Sequence, residues 1–525
     1  MNCAIVVPAL RGYFNNFEMW DQTFSGDLEM IELLQLKAII EANGHTADKF
    51  TLLDKVSYKQ SMEQLLNKDH YNVYLFYTED FYSIITLAKL IKKIKKNNTH
   101  CKIIVFGYYT ILNYQSVMQI IEEVDAAVVS LDEQTFIDLL DTFQSNGALF
   151  TVPGIAYRSV EGDLVLNPSS KTFRIRNLPR VEYEEEMIER IEMRTITGCT
   201  GKCSFCEIAG VRKHLGFNDI RIRDVADVVD EIEHLVKHKK TNFIKFQDES
   251  FLLHSSARTQ WLADFISLIK KRNIKIEMLA QARAKDVIRY KEFLPALIDI
   301  GMKQMFIGVE SMLQSKLDLY NKGSRVEDNV MAYRLLEDSG YRIGIGFMLF
   351  DPYSTVEEVQ TILRNLLKYN MYQHSFDAGS AYPFPVESMI GVVYANEMYN
   401  MVEKDNLADP TKWYGYRFKE EKTKKYHEYC LKWGSNCAPI DRKVFQINTS
   451  KNSDLASNKN GRAFIDACNA IKRTNLSYLI ELANHLKDEA EPFDFDAFHA
   501  EWNKSKHNSY QTIEEHADLF KQIAN

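Results

Sequence analysis

The chain has 525 residues, of which 46% are hydrophobic and 26% charged, a balance typical of ordinary globular proteins. Only 22 glycines and 11 prolines occur, which argues against an all-β architecture and against a disordered linker protein. No apolar run approaches the roughly 20 residues that a membrane span needs, and the N-terminus lacks the basic segment of a signal peptide. The composition therefore predicts a cytoplasmic protein of about three domains.

The charge balance bears on the class of partner. The net charge is −8 at pH 7, so no broad basic surface is expected to attract nucleic acid. The densest basic run, at residues 92–96, ends a predicted amphipathic helix, where lysines offset the negative end of the helix dipole. An RNA or lipid contact is the alternative for this run. We expect a small-molecule, lipid or peptide substrate.

The first part of the chain, residues 1–145, alternates apolar strands with amphipathic helices. The strand-like runs lie at residues 4–8, 49–53, 73–77, 102–106 and 126–129. Five such units in succession predict an α/β domain with a flavodoxin-like, doubly wound parallel sheet. Residues 146–190 contain a hairpin-like stretch and an acidic segment, which are interpreted as a connector between domains.

Alternation resumes over residues 191–395. The predicted strands lie at residues 192–197, 243–246, 275–280, 304–308, 342–349 and 376–382. Six strand–helix units are too few for a closed eight-stranded barrel, so a partial (β/α)6 barrel is expected. Residues 396–525 have a polar helical pattern and predict a mainly helical C-terminal domain. This domain is expected to cover the open side of the barrel, with Trp413 and Tyr416 near the substrate.

Three cysteines, Cys199, Cys203 and Cys206, form a C-x3-C-x2-C loop directly after the first predicted barrel strand. A structural zinc site usually takes four ligands. Three thiolates can instead hold three irons of a [4Fe–4S] cube and leave the fourth iron open to a small chelating ligand. The carboxyl end of a barrel strand is also where parallel barrels place their active sites. The alternatives are a zinc site completed by His214 and three incidental buried thiols.

This loop resembles the hallmark motif of the radical SAM superfamily, and the resemblance continues through the predicted barrel. It implies a [4Fe–4S] cluster on the three cysteines, cleavage of S-adenosylmethionine (SAM) to a 5′-deoxyadenosyl radical, and an electron donor such as flavodoxin or ferredoxin. Polar residues after the second and fourth strands are implied to contact SAM, with Arg283 on its carboxylate. The implied SAM-binding residues are Phe205, Gln247, Asp248, Glu249, Arg283, Glu310 and Gly346. For each polar residue the alternative is an ion pair at the barrel rim.

Residues 1–180 resemble the cobalamin-binding domain that precedes the barrel in one branch of this superfamily. The resemblance implies cobalamin contacts from Tyr77, Thr78, Gly107, Tyr108, Ser130 and Glu133. The D-x-H-x-x-G motif that supplies a histidine ligand to cobalt is absent from the sequence, so bound cobalamin is expected without such a ligand. Tyr108 and Tyr109 stand where relatives carry small residues, which would crowd the corrin. A degenerate domain that no longer binds cobalamin is the alternative.

These resemblances imply a cobalamin-dependent methyltransferase acting on an unactivated carbon. One alternative is a non-methylating radical reaction, namely dehydration, epimerisation, cyclisation or ring contraction. A second is a cobalamin- or metal-binding sensor without turnover. The remaining cysteines in the C-terminal part, Cys430, Cys437 and Cys468, match no compact ligand loop and are interpreted as structural thiols rather than as an auxiliary cluster.

Overall fold

The structure is a computed structural model of the 525-residue chain. It describes residues 1–7, 31–52, 63, 65–66, 71–78, 81–183, 190–351, 353–372, 418–430, 432–433, 459–487, 493–505, 511 and 515. Several predictions lie outside the described residues: the sixth barrel strand, Trp413, Tyr416, Cys437 and the side chain of Cys468.

Among the described residues, the N-terminal part consists of a seven-stranded sheet with four helices. Its elements are β1 (Asn2–Val7), α1 (Ile31–Ala42), β2 (Thr46–Thr51), β3 (Val73–Tyr77), α2 (Phe81–Asn97), β4 (Lys102–Phe106), α3 (Tyr108–Ile120), β5 (Ala126–Val128), α4 (Gln134–Ser145), β6 (Ile155–Arg158) and β7 (Leu164–Leu166). The strand order is β2-β1-β3-β4-β5-β6-β7, and the first five strands are parallel. This is the flavodoxin order, which confirms the predicted fold class.

Both faces of this sheet are covered, which explains its continuous apolar strands. Along β1, Ala4 and Val6 pack into one hydrophobic core, whereas Cys3, Ile5 and Val7 pack into another on the opposite face. Successive side chains of a strand point to opposite faces, so a strand buried on both sides has no polar positions. The last two strands, β6 and β7, pair antiparallel and extend the sheet beyond β5. The hairpin expected in the connector is therefore built onto the N-terminal sheet.

In the second part, the described residues form a five-stranded parallel sheet with helices between its strands. Its elements are β8 (Arg190–Met193), β9 (Ile196–Thr197), α5 (Glu207–Leu215), β10 (Arg221–Ile222), α6 (Val225–His238), β11 (Phe243–Phe246), α7 (Ser256–Lys271), β12 (Glu277–Arg283), α8 (Ala284–Arg289), α9 (Leu294–Asp299), β13 (Met302–Glu310), α10 (Gln314–Leu319), α11 (Val326–Asp338), β14 (Arg342–Phe347) and α12 (Val356–Lys368). Strands β8, β11, β12, β13 and β14 pair in chain order.

The first barrel strand is shorter than predicted. It ends at Met193, and residues 196–197 form β9, which leaves the barrel sheet and pairs antiparallel with β10. The cysteine loop therefore follows a small two-stranded ribbon beside the barrel sheet. The break between β8 and β9 is held by a buried carboxylate, described below.

The inner face of the barrel is polar. The Lys245 ammonium lies 3.0 Å from a carboxylate oxygen of Glu192, and Arg342 forms an ion pair with Glu277. The Gln304 amide also donates to Glu277, with 2.5 Å between the two atoms. The residues that alternate with these in sequence, such as Ile244 and Met305, are buried against the surrounding helices.

Helices follow the barrel in the described C-terminal part. They comprise the helical residues 421–430, α13 (Lys459–Lys487) and α14 (Phe495–Ser505). α13 packs against α12, where the Gln360 amide donates to the Ile480 carbonyl at 3.1 Å. Cys430 is 1% exposed in this helical packing. Within the described residues, none of the helices has the length and apolar content needed to span a bilayer.

Candidate active site at the cysteine loop

The cysteine loop runs from β9 to α5, and all three of its thiols are half-buried. Cys206 precedes the first turn of α5. Burial raises the pKa of Cys206 to about 11, although the backbone N–H groups of Ile208 and Ala209 act in the opposite direction. Burial also raises the pKa of Cys203, against the nearby Lys322 ammonium, which lowers it. In the apo protein these two thiols are protonated at neutral pH, and metal binding would displace their protons.

Two of the sulfurs and one guanidinium converge around Gly201. The Gly201 amide lies 3.2 Å from the Cys199 sulfur and donates to it. A Cβ added to Gly201 would lie 3.3 Å from the Cys199 sulfur, 3.8 Å from the Cys203 sulfur and 3.5 Å from Arg283 Nη1. Among the described residues, no group of three or more His, Cys, Asp or Glu side chains is arranged to hold a metal ion.

The Asp248 carboxylate binds the backbone just before the cysteine loop. Its side chain is fully buried and accepts hydrogen bonds from the backbone N–H of Thr195, at 2.6 Å, and of Ile196, at 3.0 Å. It also contacts the buried guanidinium of Arg258 at 3.5 Å. The Asp248 oxygens thus have partners within the protein, and a contact of Asp248 with SAM stays a prediction. Arg258, the buried partner of Asp248, was not among the predicted site residues.

The neighbours of Asp248 also face the loop and the barrel wall. A Glu249 carboxylate oxygen accepts from the Gly198 N–H at 3.0 Å, directly before Cys199. The Gln247 amide donates to the Glu192 carboxylate on the adjacent strand. Both residues were expected to contact SAM, and in the structure both are engaged with the protein itself.

Arg283 ends β12 and faces the cysteine sulfurs. Its Nε and Nη2 donate to the two carboxylate oxygens of Asp286 at 2.8 and 3.1 Å, which leaves Nη1 toward Gly201. Burial alone would lower the pKa of Arg283, but the Asp286 hydrogen bonds and the Cys199 and Cys203 sulfurs outweigh it and raise the pKa. A permanent positive charge thus lies beside the thiols.

A second charged group at the loop is the ion pair between Glu310 and Lys322, with 2.7 Å between carboxylate and ammonium. Both side chains are nearly buried. Gly308 makes room for the pair, since a Cβ there would lie 2.5 Å from Glu310 Oε1 and 2.7 Å from Lys322 Nζ. Glu310 has a φ of 62°, a left-handed conformation that costs a non-glycine residue energy and is concentrated at functional sites. Lys322 was not among the predicted site residues, although it lies in a Lys-Gly pair before α11.

Phe205 and Gly346 occupy opposite sides of this region. The Phe205 ring packs edge-on against Tyr320, with 5.7 Å between centroids, and the Lys322 ammonium lies 5.8 Å above the Phe205 ring. A Cβ at Gly346 would lie 3.0 Å from the Phe306 ring. The Phe306 ring therefore packs closely against Gly346, and a larger residue there would have to displace it.

The segment after α10 anchors the loop from the barrel side. The Ser204 N–H donates to the Tyr320 carbonyl at 2.8 Å, and the Ser204 hydroxyl donates to the Leu319 carbonyl at 2.9 Å. The Asn321 amide donates to the Lys202 carbonyl at 2.7 Å. The cysteine loop is thus fixed on two sides by contacts distant in sequence.

The predicted cobalamin residues lie at the carboxyl ends of β3, β4 and β5. The Thr78 hydroxyl is buried and donates to the Phe106 carbonyl at 2.9 Å. Gly107 has a φ of 120°, and a Cβ there would lie 2.3 Å from the Thr78 carbonyl oxygen. Tyr77 and Tyr108 are half-buried beside them. Tyr108 interacts electrostatically with Arg194 of the barrel part, so this edge of the sheet faces the barrel.

The two remaining predicted cobalamin residues have partners within the protein. The Ser130 hydroxyl accepts from the Asp132 N–H and from the Ser169 hydroxyl, both at 3.0 Å. The two Glu133 carboxylate oxygens accept from Arg221 Nη1 and Nη2 at 2.9 and 2.6 Å. Beyond the carboxyl end of β5, these two side chains therefore bind the connector and the barrel part.

Comparison with known families agrees with this geometry. Residues 193–366 match the model of the Radical SAM superfamily, a range that includes the cysteine loop. The chain is 26% identical over 305 residues to an anaerobic magnesium-protoporphyrin IX monomethyl ester cyclase of Rubrivivax gelatinosus, covering 55% of this chain and 53% of the relative. It is 27% identical to a 4′-phospho-dehydrooxetanocin synthase of Priestia megaterium, covering 42% of this chain and 32% of the relative. The chain thus spans about half, or less, of these curated relatives.

Solved structures share the whole architecture. The cobalamin-dependent SAM radical enzyme OxsB with aqua-cobalamin bound superposes with a TM-score of 0.68 at 15% identity, covering 100% of this chain and 81% of that one. The radical SAM methyltransferase TsrM from Kitasatospora setae superposes with a TM-score of 0.59 at 12% identity, covering 93% and 99%. At such identities the likeness establishes the fold.

These matches confirm the resemblance drawn from the cysteine loop and from the N-terminal sheet. A radical SAM domain implies a [4Fe–4S] cluster and SAM as cofactors. Residues 193–366 thus form a radical SAM domain, and the fold of the chain as a whole is shared by the cobalamin-dependent SAM radical enzyme OxsB and by TsrM.

Proposed function

We propose that this chain binds a [4Fe–4S] cluster on Cys199, Cys203 and Cys206 and uses it with SAM to carry out radical chemistry on an unactivated carbon. The observation that carries the proposal is the convergence of the Cys199 and Cys203 sulfurs with Arg283 around Gly201, in a matched radical SAM domain. When bound, the reduced cluster supplies the electron that cleaves SAM to a 5′-deoxyadenosyl radical. A flavodoxin or ferredoxin is the proposed electron donor.

The residues around the loop fit such a group. Thiolates are the preferred ligands of iron–sulfur clusters, and three of them carry a concentrated negative charge. Arg283 and Lys322 place two cations beside these sulfurs, and the small Gly201 leaves the space between them open. Asp248 and Glu249 hold the start of the loop through backbone N–H groups. These residues position the ligands and balance their charge.

The Glu310–Lys322 pair is the proposed anchor for SAM. SAM presents an ammonium group and a carboxylate on one carbon, and a carboxylate next to an ammonium is complementary to that arrangement. The pair lies beside Cys203, since the Lys322 ammonium interacts with the Cys203 sulfur. Arg283, which the family resemblance suggested for the carboxylate, has two of its nitrogens committed to Asp286. Arg283, through Nη1, and Lys322, whose partner Glu310 would bind the SAM ammonium, are both candidates for the SAM carboxylate.

Glu310→Gln should weaken SAM binding by about 1–3 kcal/mol, the range for a hydrogen bond to a charged group, without loss of cluster iron. Lys322→Met should have an effect of the same order, because each residue would bind one charged group of SAM. SAM affinity is measured by equilibrium dialysis on anaerobically reconstituted protein. The matched control is Glu233→Gln, which removes a surface ion pair with Lys237 and should leave SAM affinity unchanged. Wild-type affinity in both site variants would remove the pair from the SAM site.

We propose that cobalamin binds at the carboxyl edge of the N-terminal sheet, with contacts from Tyr77, Thr78, Gly107 and Tyr108. Support comes from Gly107, where only glycine lets the backbone pass the Thr78 carbonyl, and from Tyr108, which lies toward Arg194 of the barrel part. Cofactors of such sheets lie beyond the carboxyl ends of the strands. The contacts inferred at Ser130 and Glu133 are secondary, because both side chains already have protein partners.

Anaerobic reconstitution with hydroxocobalamin should give a stoichiometric complex. Its cob(II)alamin EPR spectrum should lack nitrogen superhyperfine splitting, because the sequence has no D-x-H-x-x-G histidine to ligate cobalt. Binding is measured by absorbance after gel filtration, with the same protein lacking added cobalamin as control. A protein that loads iron and cleaves SAM but retains no cobalamin would favour a radical enzyme with a degenerate N-terminal domain.

We further propose methyl transfer to carbon of a small natural product, lipid or peptide as the reaction. The fold of TsrM, a methyltransferase, supports this proposal, whereas the relatives that are cyclases favour ring formation as the second candidate. A methyltransferase uses a second SAM as methyl donor, so turnover should release S-adenosylhomocysteine together with 5′-deoxyadenosine. A ring-forming enzyme should release 5′-deoxyadenosine alone. Chromatography of the products of cobalamin-loaded protein with SAM and reductant distinguishes the two.

A further inference from the structure

We propose that the ion pair between Glu133 and Arg221 is a positioning device that sets the cysteine loop relative to the N-terminal sheet. Glu133 precedes α4 at the carboxyl end of β5, whereas Arg221 lies in β10, beside the barrel. The inference rests on the proposed function in one respect: it takes the loop to be the cluster-binding segment. It assigns Glu133 a role other than the cobalamin contact that the family resemblance implies.

The first step of the argument is the geometry of the pair. Both terminal nitrogens of Arg221 donate to the Glu133 carboxylate, at 2.9 and 2.6 Å, so the contact is bidentate and fixes orientation as well as distance. The Arg221 side chain is 2% exposed and that of Glu133 is 22% exposed. A buried, forked contact of this kind holds its two segments in one relative arrangement, unlike a mobile surface pair.

The second step is that Arg221 also contacts the connector. Its Nη1 donates to the Ile175 carbonyl at 3.0 Å, and its guanidinium lies 4.3 Å from the centroid of the Phe173 ring. The connector also contacts the carboxyl edge of the N-terminal sheet through Arg174, whose backbone N–H donates to the buried Asp132 carboxylate at 2.9 Å. The Arg221 guanidinium, which belongs to β10, therefore contacts both Glu133 at the edge of the sheet and the connector.

The third step links Arg221 to the cysteines. Arg221 is the register partner of Thr197 in the β9–β10 ribbon, and its Nη2 lies 3.4 Å from the Thr197 hydroxyl. Thr197 is followed directly by Gly198 and Cys199. A displacement of Arg221 would therefore move its strand partner Thr197 and, through Thr197, the first cysteine of the loop. Since displacements near 1 Å have large effects on reacting groups, the pair is a positioning element for SAM cleavage.

Glu133→Gln tests the inference, because it removes the charge and one acceptor oxygen while Arg221 keeps its contacts to Ile175 and Thr197. The reconstituted variant should retain its iron and sulfide, but its rate of 5′-deoxyadenosine formation from SAM and dithionite should fall by about tenfold or more. The EPR spectrum of the reduced cluster should also change its response to SAM. Arg221→Gln, which also removes the contacts to Ile175 and Thr197, should show a defect at least as large, and the double variant should be no worse than Arg221→Gln alone.

The matched control is Asp125→Asn, which breaks an ion pair with Lys95 inside the N-terminal domain, at 3.0 Å, with the same change of charge. It should leave both the cleavage rate and the EPR response at their wild-type values. Glu133→Gln protein with a wild-type rate and spectrum would overturn the inference, and so would loss of its iron, which would make the pair a folding contact. Failure of the proposed function is distinguishable, since the wild-type protein would then itself bind no cluster.

Discussion

Replacing Cys199, Cys203 and Cys206 together by alanine should abolish iron–sulfur cluster binding and, with it, all reductive cleavage of SAM. Cysteine thiolates are the ligands that iron–sulfur clusters prefer, and these three are the cysteines of the loop. The expected protein is folded and colourless after reconstitution. Iron and sulfide assays, together with the charge-transfer absorbance that dithionite bleaches in the wild type, measure the effect.

The matched control is Cys430→Ala. Cys430 lies in the helical packing after the barrel, and burial raises the pKa of its thiol, so it is an inert structural cysteine. This variant should keep the wild-type iron content and SAM cleavage. If the triple variant retained its iron, or if Cys430→Ala lost it, the cluster would have to be assigned to other ligands.

Asp248→Ala should lower the free energy of unfolding by about 3–5 kcal/mol, the cost of removing one partner from a buried ion pair. The change leaves the Arg258 guanidinium, which is fully buried, without its carboxylate. It also removes the acceptor for the N–H groups of Thr195 and Ile196 at the break between β8 and β9. Denaturant unfolding followed by circular dichroism measures the loss.

Asp299→Ala is the control for this prediction, because its pair with Lys270 is exposed and contributes less than about 1 kcal/mol. A second variant, Asp248→Asn, keeps an acceptor oxygen for the backbone and should recover part of the loss. Equal stability of the Asp248→Ala and Asp299→Ala proteins would show that the buried carboxylate does not support the loop.

The sequence predicted the fold wherever a local pattern carries the information. The apolar runs of β1, β3 and β4 identify strands buried on both faces, and the alternation with helices predicts the parallel sheet, which the structure confirms. The end of β8 was placed too late, because Ile196 and Thr197 continue the apolar and β-branched pattern past the break. The break depends on Asp248, a carboxylate 53 residues away from Thr195, and no local pattern encodes such a contact.

The candidate site could likewise be predicted only where its residues lie close together in the sequence. The spacing of the three cysteines points to their chemistry, because ligands in one short loop are a local feature. Charged residues near the loop gave a weaker signal, since an aspartate or glutamate after a strand can bind a ligand or a distant cation. Glu133 pairs with Arg221, which lies 88 residues away, and Glu310 pairs with Lys322. Only the folded chain shows which of these groups already have partners.

The anchoring of the cysteine loop has a consequence for the order of assembly. The contacts that shape the loop join residues 51 to 119 positions apart, from the Gly198–Glu249 hydrogen bond to the Lys202–Asn321 hydrogen bond. Such contacts close only when the surrounding β-strands and helices have come together. Small zinc domains fold around their metal, whereas the contacts that shape this loop are made between protein groups. Iron and sulfide would thus enter a finished protein, and a chelator would remove them while leaving the tertiary structure in place.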